Sequence, residues 1–226
     1  ATALRYGVPL AVLPGGTFNH FAVDLGVESV PDACVAVARG SAVRVDLGRL
    51  TPGGGPGALR EPVYFLNTFS IGSYPELVRL REHWSPRIGG PAATLLGVAH
   101  VLRTSRPVTA EVNGSRRSLW LLFAGNGAYR SVGVAPVRRY DLADGLLDVR
   151  IAHGGRFART RLLAAALTGA LRRSPFYAAT RPRRLLVSGL PTGTHMACDG
   201  EVTPAPPSFL IDKMEEALIV YRAVPD

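Results

Sequence analysis

The pattern of hydrophobic and polar positions changes its period near residue 40. Before this point, the apolar run VPLAVL at 8–13 predicts a buried strand. Two helices are predicted to follow, at 19–26 and 30–39, and each is followed or closed by a glycine, which readily takes the left-handed backbone that ends a helix. One strand followed by helices is typical of a piece of an α/β domain.

Beyond residue 40 the pattern is mainly that of β strands. The stretch VRVDLGRL at 43–50 alternates apolar and polar residues, as a half-buried strand does. Helices are predicted at 75–83, at 91–103 and, as one long amphipathic segment, at 156–173. Further strands are predicted at 63–72, 107–113, 118–125, 146–152, 184–189, 195–203 and 215–222. These elements predict an α+β fold whose larger, C-terminal part is β-rich and sandwich-like.

The net charge of +9 comes almost entirely from arginine, since Lys213 is the only lysine. A positive surface favours anionic partners such as phosphates, nucleotides or an acidic membrane. A genome rich in arginine codons gives the same composition, so both explanations stay open. The arginines occur as scattered pairs without interleaved aromatic residues, which argues against a nucleic-acid partner.

The composition also bears on the compartment. Cys34 and Cys198 form neither a disulfide framework nor a metal-finger spacing, which favours a reducing cytoplasm. No run approaches the roughly 18 apolar residues of a membrane span. The first residues, ATALRYGVPL, do not have the architecture of a signal peptide. They predict the end of a helix that leads into a strand, so we expect the chain to begin within a domain.

The turn Pro14-Gly15-Gly16-Thr17 is the first candidate for chemistry. Its two glycines let backbone N–H groups come close to a ligand, and the N-terminus of the following helix favours negative charge. The Thr17 hydroxyl could then donate to a phosphate. A glycine turn that only precedes a helix capped by Thr17 explains the same residues, so both interpretations stay open.

The second candidate is the acidic stretch Asp141-Leu142-Ala143-Asp144-Gly145-Leu146-Leu147-Asp148. Its carboxylates, together with backbone carbonyls, are oxygen ligands that suit a hard cation. The Asp144-Gly145 pair is also a turn signal before a strand, and the spacing of a calcium loop is absent. The sequence therefore leaves a metal site and a plain turn both open.

The third candidate is Asp199-Gly200-Glu201. On one strand, residues i and i+2 face the same side, so both carboxylates would project into one place. Two adjacent carboxylates repel, which raises one pKa unless a cation neutralises them. Such a pair suits Mg²⁺ binding or the removal of a proton from a hydroxyl. A solvated hairpin tip is the alternative.

Asn67 lies within an otherwise apolar run, at 63–72. A buried asparagine needs hydrogen-bond partners. Asn67 is therefore either a bridge within the fold or a contact to a ligand.

Five segments, in their order along the chain, resemble the diacylglycerol kinase-like lipid kinases, a family that includes the sphingosine kinases. They are LPGGTFNHFAVDLG, VRVDLGRL, FLNTFSIG, GNGAYRSVGVAPVRRYDLADGLLDVRI and ACDGE. The resemblance runs from about residue 8 to the C-terminus. The combination of segments is specific, whereas each segment alone is not.

The resemblance implies an enzyme that transfers the γ-phosphoryl group of ATP, with Mg²⁺, to the hydroxyl of diacylglycerol or a related lipid. It implies that residues 1–40 are the C-terminal remnant of an α/β nucleotide domain and that 41–226 form a β-rich lipid-binding domain, with the active cleft between them. The implied catalytic acids are Asp199 and Glu201. The residues implied at the nucleotide phosphates are Gly15, Gly16, Thr17 and Asn19, and those implied at a structural metal are Asp144, with backbone carbonyls of Asp141 and Leu146.

The chain departs from the family pattern in two places. His20 stands where the family has Asp, which changes any water–Mg²⁺ network that includes this position. The family's Gly-Gly-Asp-Gly-Thr loop, which precedes the Pro-Gly-Gly-Thr turn, is not in this sequence. We therefore expect the chain to be the acceptor-side part of a lipid kinase and to be inactive on its own.

The expected partners are a lipid substrate and a membrane surface, with the protein in the cytoplasm and peripheral at the inner face of the membrane. The segment 156–173 and the pair Arg183-Arg184 are candidates for docking. A helix that packs its apolar face in the core and leaves its arginines in solvent is the alternative. The oligomeric state is open and includes a homodimer. Two other functions are kept: a kinase of the NAD kinase type that acts on a soluble nucleotide, and a non-catalytic lipid-binding or regulatory module.

Overall fold

The computed structural model describes residues 2–16, 19–53, 61–72, 89, 106–132, 135–155, 157–167 and 170–223. Three short helices come first: α1 (Thr2–Tyr6), α2 (His20–Asp24) and α3 (Val30–Ala38). The strands are β1 (Ala42–Pro52), β2 (Val63–Phe65), β3 (Thr68–Gly72), β4 (Val108–Val112), β5 (Ser115–Asn126), β6 (Tyr129–Val132), β7 (Ala135–Arg139), β8 (Leu147–His153), β9 (Tyr177–Thr180), β10 (Arg184–Ser188), β11 (His195–Cys198), β12 (Glu201–Pro204) and β13 (Phe209–Tyr221). Between β8 and β9 lie α4 (Ala158–Leu167) and a 3₁₀ turn (Leu171–Arg173).

In the described part of the chain, eleven strands form one sheet, in the order β12-β11-β3-β5-β4-β10-β13-β1-β2, with β8 paired to β5 and β9 paired to β8. This sheet folds back on itself. Phe69 of β3 and Phe209 of β13 are four strand spacings apart, which is about 19 Å in a flat sheet. Their ring centroids nevertheless lie 5.3 Å apart. The prediction of a β-rich fold is therefore confirmed, and the main hydrophobic core lies inside the folded sheet.

A second hydrophobic cluster joins the N-terminal helices to the sheet. Phe21 and Leu25 of the α2 region pack with Val45 of β1 and with Leu218 and Val220 of β13. Leu25 and Val220 are completely buried. Burial of a large aliphatic side chain stabilises a fold by about 1.5–3 kcal/mol, so this cluster fixes the N-terminal segment on the β1–β13 pair.

The glycines predicted to end the first two helices do so. Gly26 has a φ of 72°, its N–H donates to the carbonyl of Val23, and the N–H of Val27 donates to the carbonyl of Ala22. These are the two hydrogen bonds of a Schellman end. Gly40 follows α3 with a φ of 66°. Thr17, the predicted cap of the first helix, lies outside the described residues.

The prediction of a buried strand at 8–13 is wrong. Only Leu10 pairs, in a single parallel bridge with Val220. Val8 and Leu13 are 49% and 60% exposed. A buried strand needs a hydrogen-bonded neighbour along its length and cover for its side chains. In this run only Leu10 has such a neighbour in the described structure, and only Leu10 and Val12 pack against a hydrophobic cluster.

Three other predicted elements are interrupted. The run 63–72 forms β2 and β3 with a break at residues 66–67, and the run 195–203 forms the β11–β12 hairpin. The helix predicted at 156–173 ends at Leu167, because the chain turns back to place β9 against β8. The helices predicted at 75–83 and 91–103 lie outside the described residues.

Candidate active site

Asp199 accepts hydrogen bonds from the backbone where β2 connects to β3. Its Oδ2 accepts a hydrogen bond from the backbone N–H of Leu66 at 2.6 Å. Its Oδ1 accepts from the N–H groups of Asn67 at 2.7 Å and Thr68 at 2.9 Å. The backbone N–H of Asp199 donates to the carbonyl of Thr68 at 2.8 Å. These contacts fix the carboxylate relative to the sheet.

Asp199 and Glu201 do not share a strand, so the predicted i, i+2 geometry is wrong. Asp199 and Gly200 form the two-residue turn of the β11–β12 hairpin, with φ of 49° and 95°. Asp-Gly is favoured in such turns because both positions need left-handed backbone. Glu201 is the exposed first residue of β12, opposite Cys198. The Asp199 carboxylate instead turns towards residues 66–68.

Asp199 and Glu201 both act on one neighbouring thiol. Burial raises the pKa of the Cys198 thiol to about 12, and the charges of Asp199 and Glu201 add to this effect. Both carboxylates therefore lie near the same thiol. Asp199 is an exposed residue, but three backbone N–H groups contact its carboxylate. Burial raises the pKa of Asp199 above its ordinary value, against three backbone N–H groups and Arg139, which act to lower it.

Asp199 also lines an apolar cavity of about 340 Å³. The cavity lies where the N-terminal segment meets the sheet, and Asp199 is the only charged residue among the described residues that line it. Its main apolar lining consists of Leu4, Leu10, Leu47, Phe65, Leu66 and Leu218. The volume is within the range of ligand pockets, about 300–1,000 Å³. The structure therefore places one carboxylate at the wall of an apolar space.

Arg139 holds the other side of the β2–β3 connection. Its Nη1 donates to the carbonyls of Leu66 and Asn126, both at 2.7 Å, and its Nη2 donates to Asn67 Oδ1 at 2.9 Å. Its Nε donates to Asp24 Oδ2 at 2.8 Å, in an ion pair whose side chains are 0% and 1% exposed. Asn67 is thus a bridge within the fold.

Lys213 is the centre of a second buried cluster. Its Nζ forms an ion pair with Asp46 Oδ2 at 2.7 Å, and it donates hydrogen bonds to Asp144 Oδ1 at 2.8 Å and to the carbonyl of Leu146 at 3.2 Å. Two of the predicted metal ligands, Asp144 and Leu146, therefore meet around a cation, but this cation is an ammonium group. In this arrangement there is no room for a metal ion in addition to the ammonium group, because Lys213 fills the space between their oxygens. Within the described ranges, no group of three His, Cys, Asp or Glu side chains could hold a metal ion.

The remaining predicted ligand is the backbone carbonyl of Asp141, and its position as a ligand stays a prediction. The Asp141 carboxylate is engaged within its own loop, where it accepts a hydrogen bond from the N–H of Ala143 at 2.8 Å. Burial acts to raise the pKa of the neighbouring Asp144. The Lys213 ammonium and the N–H groups of Leu146 and Ala128 outweigh burial, so the pKa of Asp144 lies below its ordinary value.

In the described part of the predicted phosphate turn, Gly15 and Gly16 are exposed and their N–H groups have partners. The N–H of Gly15 donates to the carbonyl of Leu13 at 2.9 Å, and that of Gly16 donates to Asn19 Oδ1 at 2.7 Å. Asn19 begins α2 with a left-handed φ of 48°. Thr17 lies outside the described residues. Gly15, Gly16 and Asn19 do not belong to the described lining of the cavity beside Asp199.

Sequence reasoning missed several buried charged side chains, among them those of Asp24, Asp46, Arg139 and Lys213. The pairing of Asp24 with Arg139 joins residues 115 positions apart, so no local pattern marks it. Lys213 carries a signal, since it is the only lysine in a chain that otherwise uses arginine.

The sequence and the fold were both compared with those of known proteins. Residues 1–50 match the model of the diacylglycerol kinase catalytic domain family. A solved diacylglycerol kinase from Bacillus anthracis str. Sterne is 17% identical, with a TM-score of 0.57 over 96% of this chain and 69% of that chain. The first 50 residues are thus similar to this family, and the fold of the chain is similar to that of the solved enzyme. Two further structures from the same organism, with a provisional diacylglycerol kinase assignment, are 19% and 17% identical, with TM-scores of 0.63 and 0.64 over 95% and 96% of this chain and 70% and 71% of theirs.

The match of residues 1–50 is to a kinase catalytic domain, and the solved structures show a likeness of fold alone. The similarity to yeast NADH kinase in complex with NADH, at 6% identity and a TM-score of 0.42 over 81% of this chain and 44% of that chain, is too low to bear on function. No curated protein matches the sequence. Among the residues with described structure, no helix is both long enough and apolar enough to cross a membrane.

Proposed function

We propose that the chain is the acceptor-side part of an ATP-dependent lipid kinase that phosphorylates the hydroxyl of diacylglycerol or a related lipid alcohol. The observation that carries the proposal is the apolar cavity with a single carboxylate, that of Asp199, at its wall. An apolar cavity suits an acyl chain, because burial of each CH₂ group is worth about 0.8 kcal/mol. The lipid hydroxyl would then lie at Asp199.

Asp199 would accept the proton of that hydroxyl. Its carboxylate is held by the N–H groups of Leu66, Asn67 and Thr68, so its orientation is set before a substrate arrives. Burial raises its pKa, which makes it a stronger base than an exposed aspartate. Glu201, exposed beside the same turn, would supply a second negative charge at the site.

Mg²⁺ would reach this site with the nucleotide. A Mg²⁺ ion bound through phosphate oxygens needs only one or two carboxylates from the protein, and Asp199 and Glu201 fit that number. When bound, it would neutralise charge on the transferred phosphoryl group. Gly15, Gly16, Thr17 and Asn19 are proposed for the nucleotide phosphates. In that case the N–H of Gly16 would exchange its contact with Asn19 for a phosphate oxygen.

A membrane is the proposed source of the acceptor lipid. Arg172 and Arg173, at the 3₁₀ turn after α4, are exposed and carry the charge that would meet anionic headgroups at the inner face of a membrane. Arg183 is less suited, because its guanidinium is paired with Glu215 at 2.7 Å. The proposal therefore rests on the pair at 172–173.

The test of the proposed function begins with lipid binding by the chain itself. A dispersed short-chain diacylglycerol should bind, and Leu47→Trp should abolish binding because an indole fills the cavity. Leu186→Trp is the matched control, since Leu186 is 48% exposed. Equal binding by Leu47→Trp and the control would remove the cavity from the proposal.

The second arm measures transfer of labelled phosphate from ATP to diacylglycerol by the full-length protein. Asp199→Asn should reduce turnover by at least about 100-fold, the lower end of a general-base contribution. Retained turnover would exclude Asp199 from the catalytic residues. By calorimetry, the chain alone should show no ATP binding, and tight binding would contradict its assignment to the acceptor side.

A non-catalytic lipid-binding module is the second candidate. It is favoured by the hydrogen bonds that already engage the Asp199 carboxylate and the N–H groups of Gly15 and Gly16. If the protein is such a module, the Asp199→Asn variant should bind diacylglycerol as well as the unmodified protein does. Lipid binding without any phosphorylation by the full-length protein would support this second function over the first.

A further inference from the structure

We propose that the Lys213 ammonium is the resident cation of the Asp46–Asp144–Leu146 site and makes this site independent of metal ions. The three acceptor oxygens belong to two carboxylates and one backbone carbonyl, which are ligands that a hard metal ion would also take. The inference concerns the architecture of the β-rich part and does not depend on the proposed kinase function.

All three oxygens contact the Lys213 ammonium. Nζ forms an ion pair with Asp46 Oδ2 at 2.7 Å and donates hydrogen bonds to Asp144 Oδ1 and to the carbonyl of Leu146. The side chains of Lys213 and Asp46 are 1% and 0% exposed. A guanidinium could not replace this arrangement, because its donors lie in one plane on a larger group. This explains why a lysine occurs here in a chain that otherwise uses arginine.

The oxygens of the two carboxylates are also engaged elsewhere. Asp46 accepts from the N–H groups of Gly145 at 2.9 Å and Glu216 at 2.8 Å. Asp144 accepts from Ala128 at 2.9 Å and Leu146 at 2.9 Å. A metal ion that needs six or more oxygen ligands would find few free lone pairs here. It would also lie against the ammonium, where like charges repel strongly because the site is buried.

The Lys213 site connects the loop 141–146 to the irregular part of the β1–β13 strand pair. The β1–β13 register shifts between Val45 and Leu47, and Glu216 bulges out of β13 with a left-handed φ of 47°. Asp46 lies at this register shift, and its N–H donates to the carbonyl of Leu142 at 2.8 Å. The ammonium thus joins β13, the β1 bulge and the loop at 141–146, which is the structural task that a bound metal ion would otherwise perform.

The first test uses the unmodified protein. Its metal content by inductively coupled plasma mass spectrometry should be far below one ion per chain. Its Tm should be the same in EDTA, MgCl₂, MnCl₂ and CaCl₂. A stoichiometric metal ion whose removal lowers Tm, and which is lost in Asp144→Asn, would overturn the proposal.

The second test removes the ammonium. Lys213→Ala leaves two buried carboxylates unpaired and should lower Tm by about 10 °C. MnCl₂ or CaCl₂ should restore much of this loss, because the vacated space then admits a divalent ion. Lys213→Met removes the charge but fills the space, so it should be destabilised without rescue. Arg49→Met breaks the partly exposed pair with Asp212 next to Lys213 and should not respond to metal.

The outcomes separate clearly. Rescue of Lys213→Ala alone supports the exchange of ammonium and metal. A folded Lys213→Ala protein that no divalent ion stabilises, or equal rescue of all three variants, contradicts it. If Lys213→Ala does not fold under any condition, the metal content and metal response of the unmodified protein decide the question.

Discussion

The Arg139 guanidinium and the Asp199 carboxylate both hydrogen-bond to the short segment 66–68, which joins β2 to the start of β3. Arg139 donates to the carbonyl of Leu66 and to Asn67 Oδ1, whereas Asp199 accepts from the N–H groups of Leu66, Asn67 and Thr68. The connection is thereby held between a buried cation and a carboxylate. The position of Asp199 at the cavity wall therefore depends on a residue that contacts neither the cavity nor a substrate.

Arg139→Met should destabilise the protein by about 3–5 kcal/mol, because it leaves Asp24 buried without its counter-charge. The ion pair is almost completely buried, with side-chain exposures of 0% and 1%. Urea unfolding followed by circular dichroism measures the change. Arg183→Met is the control, since the pair of Arg183 with Glu215 is 72% and 60% exposed and contributes little. Equal losses in the two variants would contradict this account.

Asp199→Ala should loosen the β2–β3 connection without unfolding the sheet. The amides of Leu66, Asn67 and Thr68 lose their acceptor, so their hydrogen exchange should be faster by at least about tenfold, which corresponds to the loss of one hydrogen bond of about 1–3 kcal/mol. Exchange measured by NMR resolves these residues individually. Glu201→Ala is the control and should leave the three amides unchanged; faster exchange there as well would show that the hairpin as a whole had opened.

The sequence predicts the β-rich class because its strands have recognisable periods and its turns contain glycine. Gly26 and Gly40 end their helices as expected, since this geometry is set by local backbone preference. The failures at 8–13 and 63–72 have another cause. For 8–13, an apolar run does not indicate whether a neighbouring strand is present. For 63–72, the break at residues 66–67 is stabilised by Asp199, which is more than 130 positions away.

The candidate site is predictable in its residue types but not in its geometry. The sequence indicates Asp199-Gly200-Glu201 as a candidate acidic site. It predicts a strand there, whereas the Asp-Gly pair forms a turn. The acidic stretch at 141–148 did predict a cation, but Lys213 lies 69 positions from Asp144. Side chains that meet only through the sheet topology leave no periodic signal in the sequence.

Acid should weaken the Asp144–Lys213 contact over a defined range of pH. The pKa of folded Asp144 lies below its ordinary value of 3.8, so the carboxylate stabilises the fold fully above that value. This stabilisation is lost as the pH falls through the lower pKa of the folded state. Asp144→Asn should be less stable than the unmodified protein at about pH 6, and the difference should shrink towards about pH 3. Urea unfolding at a series of pH values measures it, and a pH-independent difference would contradict the assignment.

Gly48 is required by the packing of β1 against β2. A Cβ atom at this position would lie 2.4 Å from the ring of Phe65, a core residue that is 1% exposed. Gly48→Ala should therefore cost about 1–3 kcal/mol through overpacking. Gly15→Ala is the matched control, because nothing lies within 4 Å of its Cβ position. Thermal unfolding should show a loss only for Gly48→Ala, and a tolerated alanine there would mean that Phe65 can move aside.

Membrane docking through Arg172 and Arg173 should depend on charge. Each arginine near an anionic surface contributes about 1 kcal/mol, so Arg172→Gln/Arg173→Gln should weaken binding by about 30-fold. Vesicles with and without phosphatidylserine, sedimented at a series of salt concentrations, measure the affinity, which should fall as salt screens the attraction. Arg116→Gln/Arg117→Gln removes the same charge from exposed positions on β5 and is the matched control. If both double variants lose the same affinity, net charge rather than the α4 region drives the binding, and the docking surface must be placed elsewhere.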